Sequence, residues 1–192
     1  MSAAGTPPPR AVSPIPADQA PLLARSYYAD GAPSPIVAAL AHVPELLDVA
    51  MPFVAAALGE SFVSARLKEI AILRASAVLG CHYCVRSHTV VALDEGLSRA
   101  EVVALCGDEP AQDAFDDERE RALVAWVQAL AGGRGPLDGD LERHMAACFS
   151  EAEIVELTVV ATATMMLNRF CTALGLPVSD ATLVRLRAEG LL

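Results

Sequence analysis

Apolar residues recur at helical spacing through most of this chain, and a glycine or a proline closes each run. The segment 64–80 carries leucine, isoleucine and alanine at i, i+3 and i+4 positions and ends at Gly80. The segment 81–96 begins immediately and ends at Gly96. The alternation of apolar and polar residues that is typical of a half-buried strand does not occur in these segments. The pattern therefore predicts an all-α fold.

Further segments with the same periodicity extend this prediction over most of the chain. Ser98 with Glu101, and Ser150 with Glu153, have the spacing of a helix-starting capping box. Pro44 predicts one helix break and Pro52 predicts another. We expect about seven to nine helices in total. The remaining helical segments are 34–59, 98–107, 116–133, 137–149, 150–174 and 179–190.

Composition agrees with helix packing and separates one terminal segment from the rest. The chain is 54% hydrophobic but only 5% aromatic, so its core must consist of small and aliphatic residues. Residues 1–22 contain six prolines and almost no apolar periodicity, which predicts an extended or disordered Pro-rich arm. Residues 23–192 are then a single-domain helical bundle.

Charge and hydropathy argue against two classes of partner. The formal net charge of −10 disfavours nucleic acid, because binding to phosphates needs a basic surface. The N-terminus lacks the apolar run of a secretory signal, and the apolar stretch 157–167 is shorter than the ~18 residues of a membrane span. The sequence therefore predicts a cytoplasmic protein that binds neither nucleic acid nor membrane.

The stretch "GCHYCVRSH", residues 80–88, concentrates the side chains that are suited to chemistry. Cys81 follows the Gly80 helix stop, so it lies near a helix N-terminus, where free N–H groups stabilise a thiolate. Cys84 and His88 are four residues apart on one helical face, which places a base beside a thiol. Cys81 and Cys84 are close enough to alternate between a dithiol and a disulfide.

Glu69 is the third group that this geometry brings to the site. It lies ~16 Å of helix before Gly80, and His88 lies ~12 Å after it. If the two helices pack antiparallel, the carboxylate and the imidazole meet within ~4–5 Å along the axis, a gap that side chains or a water can bridge. A carboxylate there would fix the imidazole tautomer. The sequence thus predicts a relay from Glu69 through His88 to Cys84.

This arrangement resembles a known family. A glutamate, eleven residues and then C-x-x-C-x-x-x-H form the signature of the alkylhydroperoxidase D-like branch of the carboxymuconolactone decarboxylase superfamily, and the flanking segments are similar over about 33–180. The resemblance implies an all-helical bundle that assembles as a trimer, dimer or hexamer. It also implies that Cys84 attacks the peroxide and that Cys81 resolves the sulfenic acid as a disulfide.

The sequence departs from the well-studied peroxidase of that family at one place. Tyr83 stands where the peroxidase has a further histidine, and a histidine occurs one residue earlier, as His82. Both are candidate accessory residues.

Two other interpretations of the cysteine pair stay open: a zinc site and unreactive buried thiols. The remaining cysteines, Cys106, Cys148 and Cys171, are predicted to be small core residues.

We therefore predict a peroxidase that reduces hydroperoxides with the Cys81–Cys84 dithiol and requires no metal or other cofactor. Its partners would be a hydroperoxide and an unidentified dithiol reductant, for which the lipoyl-bearing protein used by the best-known family member is one candidate. The alternative is a redox sensor or disulfide-exchange adaptor with little peroxide turnover. A homo-oligomer is expected, because the chain is more apolar than one small bundle readily buries.

Overall fold

The computed structural model describes residues 12–31, 33–108 and 110–192. Within these residues the chain forms nine α-helices and no strand, so the all-α prediction is confirmed. Two short 3₁₀ segments, Ala17–Gln19 and Leu22–Tyr28, precede the helices, and a third spans Ala111–Ala114. The helices are α1 Pro35–Leu40, α2 Pro44–Leu58, α3 Ala65–Val78, α4 His82–Asp94, α5 Arg99–Cys106, α6 Glu118–Gly132, α7 Gly139–Cys148, α8 Glu151–Leu174 and α9 Asp180–Ala188.

Helix ends follow the local sequence signals. Both predicted capping boxes form, at Ser98 before α5 and at Ser150 before α8. In each box, the serine hydroxyl accepts a hydrogen bond from the backbone N–H of the glutamate three residues later. The carboxylate of that glutamate accepts one from the backbone N–H of the serine. At its other end α8 stops at Gly175, which adopts the left-handed conformation with φ 60°.

The predicted helix break at Pro52 is wrong. Helix α2 runs through this proline without interruption. Pro52 is exposed, so the backbone carbonyl that loses its N–H partner one turn earlier faces solvent and can bond water. The break at Pro44 is confirmed, because this residue is the first of α2, where its missing N–H costs nothing.

Helix α3 lies at the centre of the bundle and packs against α4, α5, α6 and α8. Nine consecutive residues, from Lys68 to Ser76, are buried, so this helix has almost no solvent face. The apolar core around it is mostly aliphatic, with Phe115, Trp126 and Phe149 as its aromatic members. Any polar side chain on α3 must therefore find a partner inside the protein.

Helix α8 is the longest of the nine helices. With 24 residues and a mean hydropathy of 1.3 in its most apolar window, it is long and apolar enough to cross a membrane, contrary to what the shorter stretch 157–167 indicated. One such helix is weak evidence for a membrane span, because the core helix of a helical bundle passes the same test. Leu157, Val160 and Ala161 on this helix are fully buried in the core of the bundle.

The N-terminal segment is described from Val12 onward, and residues 1–11 of the predicted arm lie outside the described residues. Ile15 donates its N–H to the carbonyl of Ala38 at 3.2 Å, and its own carbonyl accepts from the Tyr28 hydroxyl at 3.1 Å. Ala20, Ala24 and Tyr28 pack with residues of α1 and α2. The end of the Pro-rich segment is thus attached to the first two helices.

Candidate functional site

A tight turn between α3 and α4 sets the position of the first cysteine. Gly80 has φ 65°, a conformation that disfavours residues with a Cβ, and it reverses the chain immediately after α3. Cys81 then occupies the N-cap position of α4 and donates its own N–H to the carbonyl of Ser76 at 2.9 Å. This sulfur therefore lies at the positive end of a helix, held by the end of the preceding one.

Glu69 and His88 meet across the interface of α3 and α4. Nδ1 of His88 lies 3.0 Å from Oε2 and 3.2 Å from Oε1 of Glu69. Glu69 is buried, whereas the imidazole is partly exposed. A carboxylate at Nδ1 holds the proton on that nitrogen, so Nε2 is left as the basic atom of the ring.

Three cysteines, rather than two, form one buried cluster. Cys81 is 0% exposed, Cys84 4% and Cys171 1%, and they pack together with Leu176 of the segment after α8 and Ala39 of α1. Cys171 comes from the last turn of α8, which lies beside α4. Its thiol therefore lies in the same cluster as those of Cys81 and Cys84.

The polar surroundings favour a thiolate on Cys81. Hydrogen bonds from the Cys171 and Cys84 side chains lower the pKa of Cys81 far below the ordinary thiol value, against the opposing effect of burial. The backbone N–H of Cys84 and the Thr172 hydroxyl stabilise the same sulfur. The positive end of α4, at which Cys81 is the N-cap residue, favours the same thiolate.

The other two thiols are kept protonated by the first. At Cys84, the hydrogen bond with Cys171 lowers the pKa, but the interaction with Cys81 and burial outweigh it, and the pKa is raised. The pKa of Cys171 is raised by its hydrogen bonds to Cys81 and Cys84, with burial adding to the effect. The cluster is therefore suited to one negative charge, on Cys81, with Cys84 and Cys171 as protonated neighbours.

Asn168 supports the cluster from α8. It is fully buried, and its Nδ2 donates to the Ser76 hydroxyl at 2.9 Å. Its side chain also lowers the pKa of Cys84, although the effects that raise this pKa outweigh it. The Oδ1 atom of Asn168 is buried without a partner. This asparagine ties α8 to the end of α3 next to the thiols.

The two candidate accessory residues lie at the edge of the cluster. Tyr83 is half-buried among the cysteines, and burial raises its pKa to about 12, so its phenol stays protonated and acts as a hydrogen-bond donor. His82 is exposed. It lines the same cavity as Cys81.

Residues of the site line two separate cavities: Cys81 and Cys171 line one, and Glu69 lines the other. One, of about 240 Å³, is lined by Cys81, Cys171 and Thr172, with Gly80, His82, Tyr83, Gly175 and Leu176 completing its wall. The other, of about 390 Å³, lies between the α2–α3 connection, α3 and the end of α4, and is lined by Lys68, Glu69 and Glu60 among others. The two walls have no residue in common.

Lys68, the neighbour of Glu69, is the only lysine of the chain and is almost completely buried. Its Nζ lies 2.7 Å from Oε1 of Glu156 on α8, and it donates to the backbone carbonyl of Gly59 at 2.6 Å. The hydroxyl of Ser61 donates to the same carboxylate. This ion pair neutralises a buried cation beside the cavity that Glu69 lines.

Of the four catalytic residues predicted from the sequence, Glu69 and His88 are in contact, and Cys81 and Cys84 belong to the thiol cluster. The relay from His88 to Cys84 stays a prediction. Sequence reasoning missed Cys171, Asn168 and Thr172, because nothing local in the sequence indicates that α8 ends against α4. Cys171 is buried as predicted, whereas the prediction for Cys106 is wrong, since this residue is exposed, and Cys148 is only half-buried. Within the described part of the chain, no group of three or more His, Cys, Asp or Glu side chains could hold a metal ion.

Residues 44–129, which include the whole Glu69–His88 segment, match the model of the carboxymuconolactone decarboxylase family. The segment that carries the candidate site therefore matches that family, and alkylhydroperoxidase D-like proteins of known structure share the fold of the chain. No curated protein matches the sequence.

Solved structures of similar fold cover most of the chain. A candidate AhpD antioxidant defence protein from Agrobacterium tumefaciens is 28% identical, with a TM-score of 0.62, over 73% of this chain and 96% of that one. A peroxidase-related protein from Silicibacter sp. TM1040 is 17% identical, with a TM-score of 0.78, over 94% and 97%. The debrominase Bmp8 is 22% identical, with a TM-score of 0.71, over 92% and 96%. The fold thus serves proteins with different activities.

Proposed function

We propose that this protein is a thiol-dependent peroxidase that reduces hydroperoxides through the Cys81–Cys84 pair. The observation that carries the proposal is the N-cap position of Cys81. Its sulfur lies at the positive end of α4 beside two other thiols, which lower its pKa, and the residue lines a cavity of about 240 Å³. A thiolate is the nucleophilic form of cysteine, and a substrate must reach it.

The reaction has two steps. The Cys81 thiolate attacks the outer oxygen of the hydroperoxide, the O–O bond breaks, and the alkoxide leaves and takes up a proton as the alcohol. The Cys84 sulfur then attacks the sulfenic acid on Cys81, a disulfide forms and hydroxide leaves as water. A dithiol reductant restores both thiols by exchange through a mixed disulfide.

Glu69 and His88 act on the second step. Cys84 must lose its proton before it can attack, and its pKa is raised in the resting site. His88 follows Cys84 by one helical turn, and Glu69 fixes its tautomer through the 3.0 Å contact with Nδ1. We assign His88 as the base for Cys84 and Glu69 as the residue that positions the imidazole.

This order of attack is the opposite of the one that the family resemblance implies. There Cys84 attacks and Cys81 resolves. We favour Cys81 because the groups that stabilise a thiolate surround its sulfur and because it lines the cavity.

Trapping of the sulfenic acid decides between the two orders. A dimedone-type probe is added with one equivalent of hydroperoxide to Cys84→Ser/Cys171→Ser, which keeps Cys81 as the one thiol of the cluster, and to Cys81→Ser. We expect label on Cys81 in the double variant and none on Cys84 in Cys81→Ser. Label on Cys84 in Cys81→Ser, with an unlabelled Cys81 in the double variant, would restore the family order.

A redox sensor or disulfide-exchange adaptor is the second candidate, because the thiols are almost completely buried and burial restricts turnover. An enzyme consumes many equivalents of hydroperoxide with dihydrolipoamide, whereas a sensor stops after one. Tribromopyrrole, the ligand in one structure of Bmp8, serves as an alternative electrophile in the same assay.

The proposal also includes the setting of the reaction. A reducing cytoplasm would keep the thiols available, and a lipoyl-bearing protein is the first reductant to test. The exposed apolar side chains along α8 support a homo-oligomer.

A further inference from the structure

Cys171 is the one member of the thiol cluster that the proposed reaction does not use. It lies far from the Cys81–Cys84 pair in sequence, on a different helix, yet it is 1% exposed inside the same cluster. Isolated buried cysteines commonly act as small apolar residues. This one differs because it is packed in one buried cluster with two other cysteines.

The position of Cys171 is fixed by the end of α8. The N–H of Leu176 donates to the carbonyl of Cys171 at 3.1 Å, as expected where Gly175 closes a helix in the left-handed conformation. One turn earlier, Asn168 holds α8 against Ser76. The backbone that carries the Cys171 thiol is therefore anchored both before and after this residue.

Cys171 and Cys81 also line the same cavity of about 240 Å³. A sulfenic acid that forms on Cys81 therefore has two thiols in the same cluster: Cys84 on α4, and Cys171 on α8, which lines the same cavity.

We propose that Cys171 is a second resolving thiol, which captures the sulfenic acid on Cys81 as a Cys81–Cys171 disulfide when Cys84 is unavailable. The Cys171 sulfur attacks the Cys81 sulfur, the S–O bond breaks, and the hydroxyl leaves with the Cys171 proton as water. This inference rests on the proposed function, because it needs Cys81 to be oxidised first. It gives the site a route that protects Cys81 from oxidation to sulfinic acid.

The test uses the full-length chain with Cys84→Ser, one equivalent of hydrogen peroxide, a dimedone-type probe and peptide mapping without reduction. We expect a Cys81–Cys171 disulfide in Cys84→Ser and little probe on Cys81. The double variant Cys84→Ser/Cys171→Ser should lose this disulfide and carry the probe on Cys81. The control Cys84→Ser/Cys148→Ser removes a thiol outside the cluster and should keep the disulfide.

The outcomes separate the two proposals. Probe on Cys81 with a free Cys171 thiol in Cys84→Ser would overturn the role of Cys171 and leave the proposed attack by Cys81 intact. Neither probe nor disulfide at Cys81 would contradict both. Cys84→Ser/Cys171→Ala, with circular dichroism of every variant, guards against a loss of fold caused by the buried serine hydroxyl.

Discussion

Nδ1 of His88 lies 3.0 Å from Oε2 of Glu69, and the two residues belong to neighbouring helices joined by a single tight turn. The carboxylate is buried and the imidazole is partly exposed. A histidine held in this way presents Nε2 as its only free basic atom.

The first prediction concerns this contact. Glu69→Gln should lower the rate of hydroperoxide consumption by roughly 10–100-fold, because an amide can no longer hold the tautomer that general-base catalysis requires. Glu69→Asp should restore part of the rate, which a merely structural role would not predict. The matched control is Glu60→Gln, an exposed carboxylate on the same cavity. An unchanged rate in Glu69→Gln would remove Glu69 from the mechanism.

The second prediction concerns the charge of the reduced site. The lowered pKa of Cys81 means that the native protein keeps one thiolate at pH values where an ordinary thiol is protonated. The thiolate absorbance should therefore persist at about pH 6, where a free cysteine with a pKa of about 8.5 is almost fully protonated. Cys81→Ser should lose this absorbance, and Cys148→Ser should keep it.

The same shift affects stability, and its sign follows from proton binding. In the range between the lowered native pKa of Cys81 and the ordinary thiol value, the unfolded chain binds more protons at this residue than the native protein does. The contribution of Cys81 to stability is therefore complete above the ordinary thiol pKa and is lost as the pH falls through the native one. Urea unfolding of wild type and Cys81→Ser across this range should show a difference that shrinks on acidification.

The third prediction concerns the buried ion pair of Lys68 and Glu156. Glu156→Ala should lower the free energy of unfolding by about 2 kcal/mol, because it leaves the Lys68 ammonium in the core without its counter-charge. Glu156 is partly exposed, so the loss is smaller than for a fully buried pair. The double variant Lys68→Met/Glu156→Met should recover most of it. Arg143→Ala, which breaks an exposed pair with Asp140, should leave the melting temperature unchanged.

The α3–α4 half of the site could be predicted from sequence, because helix geometry links residue spacing to distance. Gly80 fixes where one helix ends, and the rise per residue then brings Glu69 level with His88. The α8 half could not be predicted in this way. Local periodicity gives the length of α8 and its end at Gly175, but its position against α4 is decided by packing of the whole core. Cys171 therefore had the pattern of an ordinary buried residue. Pro52 was misjudged for a related reason, because its exposure depends on how α2 packs.

The fourth prediction concerns an exposed stripe on α8. Val155 is 64% exposed, Val159 36% and Met166 50%, and their spacing places them on one helical face. We expect this stripe to pack against a second copy of the chain. Light scattering should show an oligomer for wild type and a shift to the monomer for Val159→Glu/Met166→Glu. Val184→Glu, on exposed α9, should not change the mass. A stable monomeric wild type would exclude this interface.

The two cavities give solutes separate access to the two halves of the site, Cys81 and Glu69. Cys81 lines one cavity and Glu69 lines the other, and the two walls share no residue. An organic molecule that fills the first cavity therefore does not block contact between Glu69 and solvent through the second. A solute in the second cavity can meet Glu69 while the alcohol product still occupies the first. Small molecules that perturb the contact between Glu69 and His88 therefore need not compete with the hydroperoxide.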